Sequence, residues 1–276
     1  MTIQLRDKTT IPQLGLGTWQ LTGDDCVQSV ATAIDLGYRH IDTAFAYDNH
    51  TEVARGIARA IAQSGIARDD LYITTKIPLG KQRRSQVIEL GAKLQQELAT
   101  DHVDLLLIHW PNKDVAFAET LEALAELVKR GVTRSIGISN FNASLVAEAD
   151  SVSTVPIVTN QVEFHPLLFQ TELLDACAAR DIRITAYSPL GRGEVLTNPD
   201  IVDIATDHDA HPAQVAIAWL LRKGIVVIPK ATGREHLKSN LDAANLSLTD
   251  DEIARIDAIK EKRRLVDGPW KHYPLE

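Results

Sequence analysis

The chain has 276 residues, of which 45% are hydrophobic and 24% charged, and its net charge at pH 7 is −8. This acidic balance provides no basic surface for nucleic acid or for an anionic membrane, and no apolar run approaches the roughly 20 residues of a membrane-spanning helix. The first residues, Met1–Asp7, lack the basic and apolar regions of a signal peptide, so we expect a cytoplasmic protein.

Short β-rich apolar runs alternate with longer segments of helical period along the chain. The strand candidates are Leu14–Trp19, Arg39–Thr43, Leu71–Lys76, Val103–His109, Thr133–Ile138, Ile157–Val162, Arg183–Tyr187 and Ile225–Ile228. The helix candidates are Asp24–Leu36, Thr51–Gln63, Arg84–Ala99, Ala118–Lys129, Leu145–Ala149, Thr171–Ala179, Pro212–Leu221 and Arg234–Ala243. Eight such units with strands that are apolar on both faces predict an α/β fold of the (β/α)8 or TIM barrel type.

Three segments fall outside these units. Ile3–Ile11 predicts an N-terminal hairpin, and Asn198–Asp207 and Asp250–Lys260 predict two extra helices. A Rossmann fold is not supported, because neither Gly15-Leu-Gly17 nor Gly191-Arg-Gly193 has the third glycine of the dinucleotide fingerprint. Without a linker or a break in composition, residues 1–276 are predicted to form a single barrel domain.

Four polar residues lie at or just beyond the C-terminal ends of three strand candidates. Asp42 and Tyr47 follow the second strand, Lys76 follows the third, and His109 follows the fourth. Because the C-terminal ends of barrel strands meet at one mouth, we expect these side chains to form an active site.

These residues suit the protonation of a developing alkoxide. The ammonium of Lys76, kept charged by Asp42, would lower the pKa of the Tyr47 phenol. His109 could either orient a carbonyl oxygen as a neutral hydrogen-bond donor or act as the acid itself. Two reactions fit this set: carbonyl reduction by a bound hydride donor, and a class I aldolase-like reaction in which Lys76 forms a Schiff base.

A metal or disulfide site is not expected. Cys26 and Cys177 each lie in a segment of helical period, and we interpret both as ordinary thiols. Glu163 and His165 are interpreted as structural, since no His, Asp or Glu cluster has the spacing of metal ligands.

Six segments resemble the aldo-keto reductase family, in its order and across essentially the whole chain. They are Gly37–Glu52 (GYRHIDTAFAYDNHTE), Ile73–Ile77 (ITTKI), Leu107–Pro111 (LIHWP), Ile136–Phe141 (IGISNF), Asn160–Pro166 (NQVEFHP) and Val227–Lys230 (VIPK). The short segment Pro111–Phe117 and the tail sequence Arg263–Val266 are most similar to the bacterial 2,5-diketo-D-gluconate reductases.

The resemblance implies carbonyl reduction, with Tyr47 as the general acid, Asp42 and Lys76 as the pair that tunes it, and His109 as the residue that orients the substrate. It disfavours the aldolase alternative. A further alternative is a regulatory protein that binds NADPH without turnover, as the potassium-channel β subunits of this family do. The intact set of four residues argues against it.

The resemblance also implies NADPH as the cofactor and names the residues that hold it. Ser139, Asn140 and Gln161 match the positions that bind the nicotinamide carboxamide, and Tyr187 matches the aromatic residue beneath the nicotinamide ring. The loop over the pyrophosphate and the adenine end match Ser188, Leu190, Gly191, Arg192, Lys230, Ala231, Arg234, His236 and Asn240. For Arg192 an alternative to this cofactor contact is a charged side chain that is simply exposed to solvent.

Two of these positions depart from the family. Ala231 lacks the usual hydroxyl, and His236 stands where many members have an Arg that meets the 2′-phosphate of NADPH. A guanidinium is permanently charged and forks onto a phosphate, so affinity for the phosphate should be reduced. With Lys230 and Arg234 still available, we expect a modest preference for NADPH, with NADH usable.

Aromatic residues of the family frame the substrate pocket, and Trp19, Phe45, Trp110 and Trp270 match such positions. We expect a monomer whose substrates are small aldehydes, keto-sugars or α-dicarbonyls, of the 2,5-diketo-gluconate or methylglyoxal type.

Overall fold

The structure is a computed structural model that describes residues 1–266. It begins with a hairpin of strands β1 (Thr2–Gln4) and β2 (Thr10–Pro12), paired antiparallel with Ile3 opposite Ile11. Asp7 closes the turn, because its Oδ1 accepts the backbone N–H of Thr9 at 3.0 Å. Leu5 and Ile11 of the hairpin pack with residues from several barrel strands, so the predicted hairpin covers one end of the barrel.

Eight parallel strands follow, in the order of the sequence. They are β3 (Leu16–Gly17), β4 (His40–Asp42), β5 (Tyr72–Ile77), β6 (Val103–Ile108), β7 (Thr133–Ser139), β8 (Ile157–Glu163), β9 (Arg183–Tyr187) and β10 (Val226–Val227). The two end strands are joined as well, because the Gly15 N–H donates to the Val227 carbonyl at 2.9 Å and the Gly17 N–H to the Pro229 carbonyl at 3.1 Å. The predicted barrel is therefore confirmed.

The helices agree closely with the predicted segments. They are α1 (Gly23–Leu36), α2 (His50–Ser64), α3 (Arg84–Glu97), α4 (Phe117–Lys129), α5 (Ala143–Val152), α6 (Thr171–Ala178), α7 (Pro199–Asp207), α8 (Pro212–Arg222), α9 (Arg234–Asp242) and α10 (Asp250–Asp257). Both extra helices, α7 and α10, are present. Thr249 and Glu252 form a capping box at the start of α10, since each side chain accepts the other residue's backbone N–H.

The first and last barrel strands are shorter than predicted. Only Leu16–Gly17 of the first segment forms a strand, and Trp19 lies in the turn that follows it. At Gly17 the backbone approaches the neighbouring strand so closely that a Cβ would lie 2.7 Å from the Ile228 carbonyl oxygen. The first and last barrel strands, β3 and β10, therefore pair over only a few residues, and glycine at position 17 allows their backbones to approach closely. None of the helices in the described part of the chain has the length and apolar character needed to span a bilayer.

Candidate active site

The four polar residues of the sequence analysis meet at the C-terminal mouth of the barrel. Asp42 is the last residue of β4 and Lys76 lies near the end of β5. Tyr47 lies in a short 3-10 helix, Phe45–Tyr47, that ends at Asp48 in the left-handed region with φ 52°. His109 follows β6 directly, and its backbone N–H donates to the Ile77 carbonyl at 3.0 Å.

The buried ammonium of Lys76 is the centre of this group. Its Nζ donates to Asp42 Oδ1 at 2.6 Å, to the Thr43 carbonyl at 2.7 Å and to the Tyr47 hydroxyl at 3.4 Å. An ammonium has three N–H donors, so each of them has an acceptor here. Burial lowers the pKa of Lys76, and the Asp42 carboxylate acts against that effect.

Asp42 is fixed from two sides. While Oδ1 accepts from Lys76, Oδ2 accepts from Gln161 Nε2 at 2.7 Å. Gln161 was predicted only as a cofactor contact, and the sequence contains no signal for its bond to a residue 119 positions away. The carboxylate is 1% exposed, so these two donors replace the water that it would otherwise bind.

The Tyr47 phenol keeps its proton over a wide pH range. Burial, together with the negative charge of Asp42, raises the pKa of Tyr47 well above its usual value. Lys76 was expected to lower this pKa from 3.4 Å away, but burial and Asp42 set the net direction upward in this structure. A protonated phenol is nonetheless the form that a proton donor needs.

His109 lies beside this phenol. The two rings meet edge to face, with 5.7 Å between their centroids. Burial, and then the charge of Lys76, lower the pKa of His109 to about 3, so its imidazole is neutral at physiological pH. Of the two roles considered for His109, this charge state favours the neutral hydrogen-bond donor.

The predicted carboxamide-binding residues form a connected group next to His109. Asn140 Nδ2 donates to the His109 carbonyl at 2.9 Å, and Asn140 Oδ1 accepts the Tyr187 hydroxyl at 2.8 Å. The Ser139 hydroxyl donates to the Gln161 carbonyl at 2.7 Å. Tyr187, at the end of β9, is thereby held with its ring half-buried at the same mouth.

The loop predicted to cover the pyrophosphate follows Tyr187 and has an unusual backbone. Ser188, Gly191, Arg192 and Gly193 all have positive φ, between 46° and 98°. Leu190 is half-buried and packs against the main core. The Arg192 guanidinium lies 5.2 Å from the centroid of the Trp19 ring, so it is stacked on an aromatic face rather than fully solvated.

The residues predicted at the adenine end lie just before α9 and along it. Lys230 and His236 are exposed, whereas Ala231 and Asn240 are buried. Arg234 is exposed but forms an ion pair with Asp35 at 2.7 Å. In the described part of the chain, no side chain caps the start of α9 at Gly233, which leaves the backbone N–H groups of its first turn available to an acceptor.

The predicted pocket walls differ in their surroundings. Trp19 is 41% exposed, while Trp110 is buried and its carbonyl accepts from Gln82 Nε2 at 2.7 Å. Phe45 contacts His50, with 4.7 Å between ring centroids, and packs against the core. Trp270 lies outside the described residues.

Gln82 is a residue that the sequence analysis missed. It is 1% exposed, and besides Trp110 it binds Asn112, whose Nδ2 donates to Gln82 Oε1 at 2.8 Å. A glutamine between two charged residues, Lys81 and Arg83, gives no sequence signal for a buried position. It ties the segment after β5 to the segment that carries His109 and Trp110.

Glu163 and His165 are both fully buried and in contact, with Glu163 Oε1 3.0 Å from His165 Nε2. Across residues 1–266, no group of three or more His, Cys, Asp or Glu side chains could hold a metal ion. Cys26 and Cys177 are buried free thiols, and burial raises the pKa of both.

Comparison with known proteins places this geometry in context. The sequence profile of the Aldo/keto reductase family matches residues 13–261. Methylglyoxal reductase DkgB of Escherichia coli O157:H7 is 45% identical over 259 residues, which cover 93% of this chain and 96% of that protein.

Two solved structures are similar over nearly their full length. An aldo-keto reductase of Bombyx mori in complex with NADP superposes with a TM-score of 0.92 at 33% identity, covering 100% of this chain and 98% of the other. A provisionally assigned 2,5-diketo-D-gluconic acid reductase B superposes with a TM-score of 0.90 at 36% identity, covering 96% of this chain and 93% of the other.

Proposed function

Because the chain belongs to the aldo/keto reductase family and reduces carbonyl compounds with NADPH, we propose that its substrates are small activated carbonyls. Small aldehydes, keto-sugars and α-dicarbonyls form this class. The similarity to a methylglyoxal reductase supports the proposal. The short segment Pro111–Phe117 between β6 and α4 supports it too, since it leaves little chain to close over the mouth.

The observation that carries the mechanism is the contact of the Lys76 ammonium with both Asp42 and the Tyr47 hydroxyl, beside a neutral His109. When bound, NADPH supplies the hydride. Tyr47 donates its phenolic proton to the carbonyl oxygen as negative charge develops there. Lys76 stabilises the phenolate that Tyr47 becomes, so its charge acts most strongly after the proton has left.

Two further residues prepare this step. His109 donates a hydrogen bond to the substrate oxygen and so holds it within reach of the Tyr47 hydroxyl. Asp42, fixed by Gln161, keeps Lys76 in place and charged. Asp42, Lys76 and His109 lie at or directly after strand ends, and Tyr47 lies in the short 3-10 helix that follows β4, which limits the movement of the group.

The residues at the mouth fit a nicotinamide dinucleotide. Ser139, Asn140 and Gln161 supply amide and hydroxyl groups that can pair with a carboxamide, and Tyr187 supplies a flat ring held by Asn140. At the other end, the uncapped first turn of α9 and the exposed Lys230 suit phosphate oxygens. The proposed contacts of Ser188, Leu190, Gly191 and Arg192 lie between these two ends.

A modest preference for NADPH over NADH is part of the proposal. Lys230 is exposed and can meet the 2′-phosphate, but Arg234 must leave or share its ion pair with Asp35 to do so. His236 lies in the first turn of α9, where an Arg would add a second permanent charge. We also propose that the protein is a cytoplasmic monomer.

A panel of carbonyl compounds, followed by the loss of NADPH absorbance, tests the proposal. Methylglyoxal and 2,5-diketo-gluconate should be reduced with higher kcat/KM than a steroid ketone, because adjacent electron-withdrawing groups favour hydride attack. A much higher kcat/KM for the steroid would contradict it.

Borohydride added with a keto substrate separates reduction from Schiff-base chemistry. Lys76 has an acceptor for each N–H and acts as a charge, so the protein mass should not change. A substrate-sized adduct on Lys76 would support the aldolase alternative instead.

A further inference from the structure

Glu163 is a buried carboxylate that the mechanism above does not use. It is the last residue of β8, is 0% exposed, and pairs in register with Tyr187 on β9. Burying a charged carboxylate is costly unless hydrogen-bond donors replace its water. Besides the neighbouring His165, the donors that Glu163 finds come from a part of the chain about 100 residues away.

Both oxygens of Glu163 bind the backbone of the tail segment, which we define as Glu261–Val266. The Leu265 N–H donates to Oε1 at 2.7 Å and the Val266 N–H to Oε2 at 2.9 Å. Burial alone would raise the pKa of Glu163, but its hydrogen bonds with His165, Leu265 and Val266 outweigh that effect and hold the pKa below its usual value. The carboxylate therefore stays charged and keeps both backbone bonds at neutral pH.

The tail segment is also tied to the chain that follows β8. The Arg263 N–H donates to the Leu167 carbonyl at 2.7 Å, and the Arg264 guanidinium donates to Gln170 Oε1 at 3.0 Å. Gln170 in turn donates to the Glu163 carbonyl at 2.7 Å. These bonds hold the segment across the β8 end of the mouth.

The anchored tail segment touches the loop that we assign to the cofactor. A Cβ at Gly191 would lie 3.5 Å from Leu265 Cδ1 and 3.6 Å from His165 Cε1, so these side chains lie against the backbone of the loop. A second link joins the Arg263 guanidinium to Glu194, at 2.7 Å, in the 3-10 helix Gly191–Thr197. Two residues of this loop that are not glycine, Ser188 and Arg192, have positive φ of 46° and 50°, so the loop needs support from its neighbours to keep this conformation.

We propose that Glu163 is a positioning residue for cofactor binding. It fixes the tail segment, and the tail segment holds the 188–193 loop in the conformation that closes on NADPH. This inference rests on the proposed function, since it assumes that the loop contacts the cofactor. Because coupling between two sites is reciprocal, NADPH should also stabilise the tail segment.

The first test compares the NADPH dissociation constants of the wild type, Glu163→Gln and Asp104→Asn, measured by fluorescence titration. Glu163→Gln keeps the volume but places an NH2 group against a backbone N–H, and we expect NADPH binding to weaken about tenfold. Asp104 is a matched control, because it is 2% exposed and accepts the Ile73 N–H at 2.8 Å near the start of β6. Asp104→Asn should lower Tm and leave NADPH binding unchanged. Equal NADPH affinity in Glu163→Gln and wild type, or equal weakening in both variants, would overturn the inference.

Leu265→Ala keeps the two backbone bonds and removes the contact with Gly191. Leu265→Ala should also weaken NADPH binding. In the double variant with Glu163→Gln, the loss of NADPH binding free energy should be smaller than the sum of the two single losses. If the two losses add fully, or if Leu265→Ala does not change NADPH binding, the tail segment does not support the loop through Leu265. This variant also keeps the inference testable if Glu163→Gln does not fold.

Hydrogen exchange gives a readout that is independent of activity. In the wild type, NADPH should slow amide exchange in both Gly191–Thr197 and the tail segment. In Glu163→Gln, NADPH should no longer slow amide exchange in the tail segment. Protection of the loop alone in the wild type would contradict the coupling. If the wild type neither binds NADPH nor reduces a carbonyl, the proposed function fails; if it does both and Glu163→Gln behaves identically, only this inference fails.

Discussion

The two candidate acids, Tyr47 and His109, differ in their protonation at neutral pH. Tyr47 holds its proton because burial raises its pKa, whereas His109 has lost its second proton because burial and Lys76 lower its pKa to about 3. At neutral pH Tyr47 therefore keeps its phenolic proton, whereas His109 has lost its imidazolium proton and keeps only the N–H of a neutral imidazole. The sequence could predict that these side chains meet, since strand ends converge, but it could not predict their burial, which determines the pKa directions.

The pH profile of the reaction tests the role of His109. Because its pKa lies at about 3, its charge does not change between roughly pH 5 and 8, and wild type and His109→Gln should have profiles of the same shape there. The variant should lose about ten- to a hundredfold in kcat/KM, since the substrate oxygen is less well oriented. An inflection of kcat/KM near pH 6.5 that is present in the wild type and absent from the variant would show that His109 titrates during catalysis.

His236 tests the assignment of the adenine end. His236→Arg adds a permanent charge to the first turn of α9 and should raise NADPH affinity about ten- to a hundredfold, with little change for NADH. Titrations of both cofactors against the wild type and the variant provide the measurement. If NADPH affinity does not rise, His236 does not face the 2′-phosphate.

At the level of elements, the apolar periodicity predicted every barrel strand and the helix that follows it. The predicted ends of the elements were less accurate. Trp19, for example, was predicted to end a strand but lies in a turn. The contacts that fix the segments at the mouth could not be predicted. Gln82 binds Trp110 and Asn112, and Glu163 binds Leu265, yet such partners are set by the closed barrel and not by local sequence.

Gln82 supplies a prediction about the segments around the mouth. Gln82→Ala removes the bonds to Trp110 and Asn112, so the segment that carries His109 should move and KM for the carbonyl substrate should rise severalfold. NADPH affinity should change much less than KM, because Gln82 itself is bonded to none of the proposed cofactor contacts. Stability should fall by about 1–3 kcal/mol, since buried groups lose partners. The exposed Gln28→Ala in α1 is the control, and a rise in NADPH Kd with an unchanged substrate KM would contradict the role.

For the whole molecule, the closed barrel buries histidines as neutral groups. Burial lowers the pKa of His40 from 6.5 to about 4, and that of His109 falls to about 3. Below about pH 6.5 the unfolded chain binds protons on both residues that the folded chain does not bind, so stability is lost as pH falls from 6.5 towards 4.

Denaturant titrations at several pH values measure this loss. Each of the two histidines should contribute up to about 1.4 kcal/mol per pH unit in that window. His40→Asn should therefore reduce the slope of unfolding free energy against pH, relative to the wild type. An unchanged slope would show that His40 is protonated in the folded protein.

We propose that Tyr47 donates the proton in an NADPH-dependent carbonyl reduction, and the variant Tyr47→Phe removes that proton with little change in shape. The measurement is kcat with methylglyoxal together with the NADPH dissociation constant, for Tyr47→Phe and for the control Tyr72→Phe. Tyr72 lies at the start of β5, at the other end of the strand that carries Lys76, and its buried hydroxyl has no hydrogen-bond partner among residues 1–266. We expect Tyr47→Phe to lower kcat by about two to four orders of magnitude with NADPH binding intact, while Tyr72→Phe keeps kcat. Near-normal kcat in Tyr47→Phe, with activity abolished in His109→Ala, would contradict it.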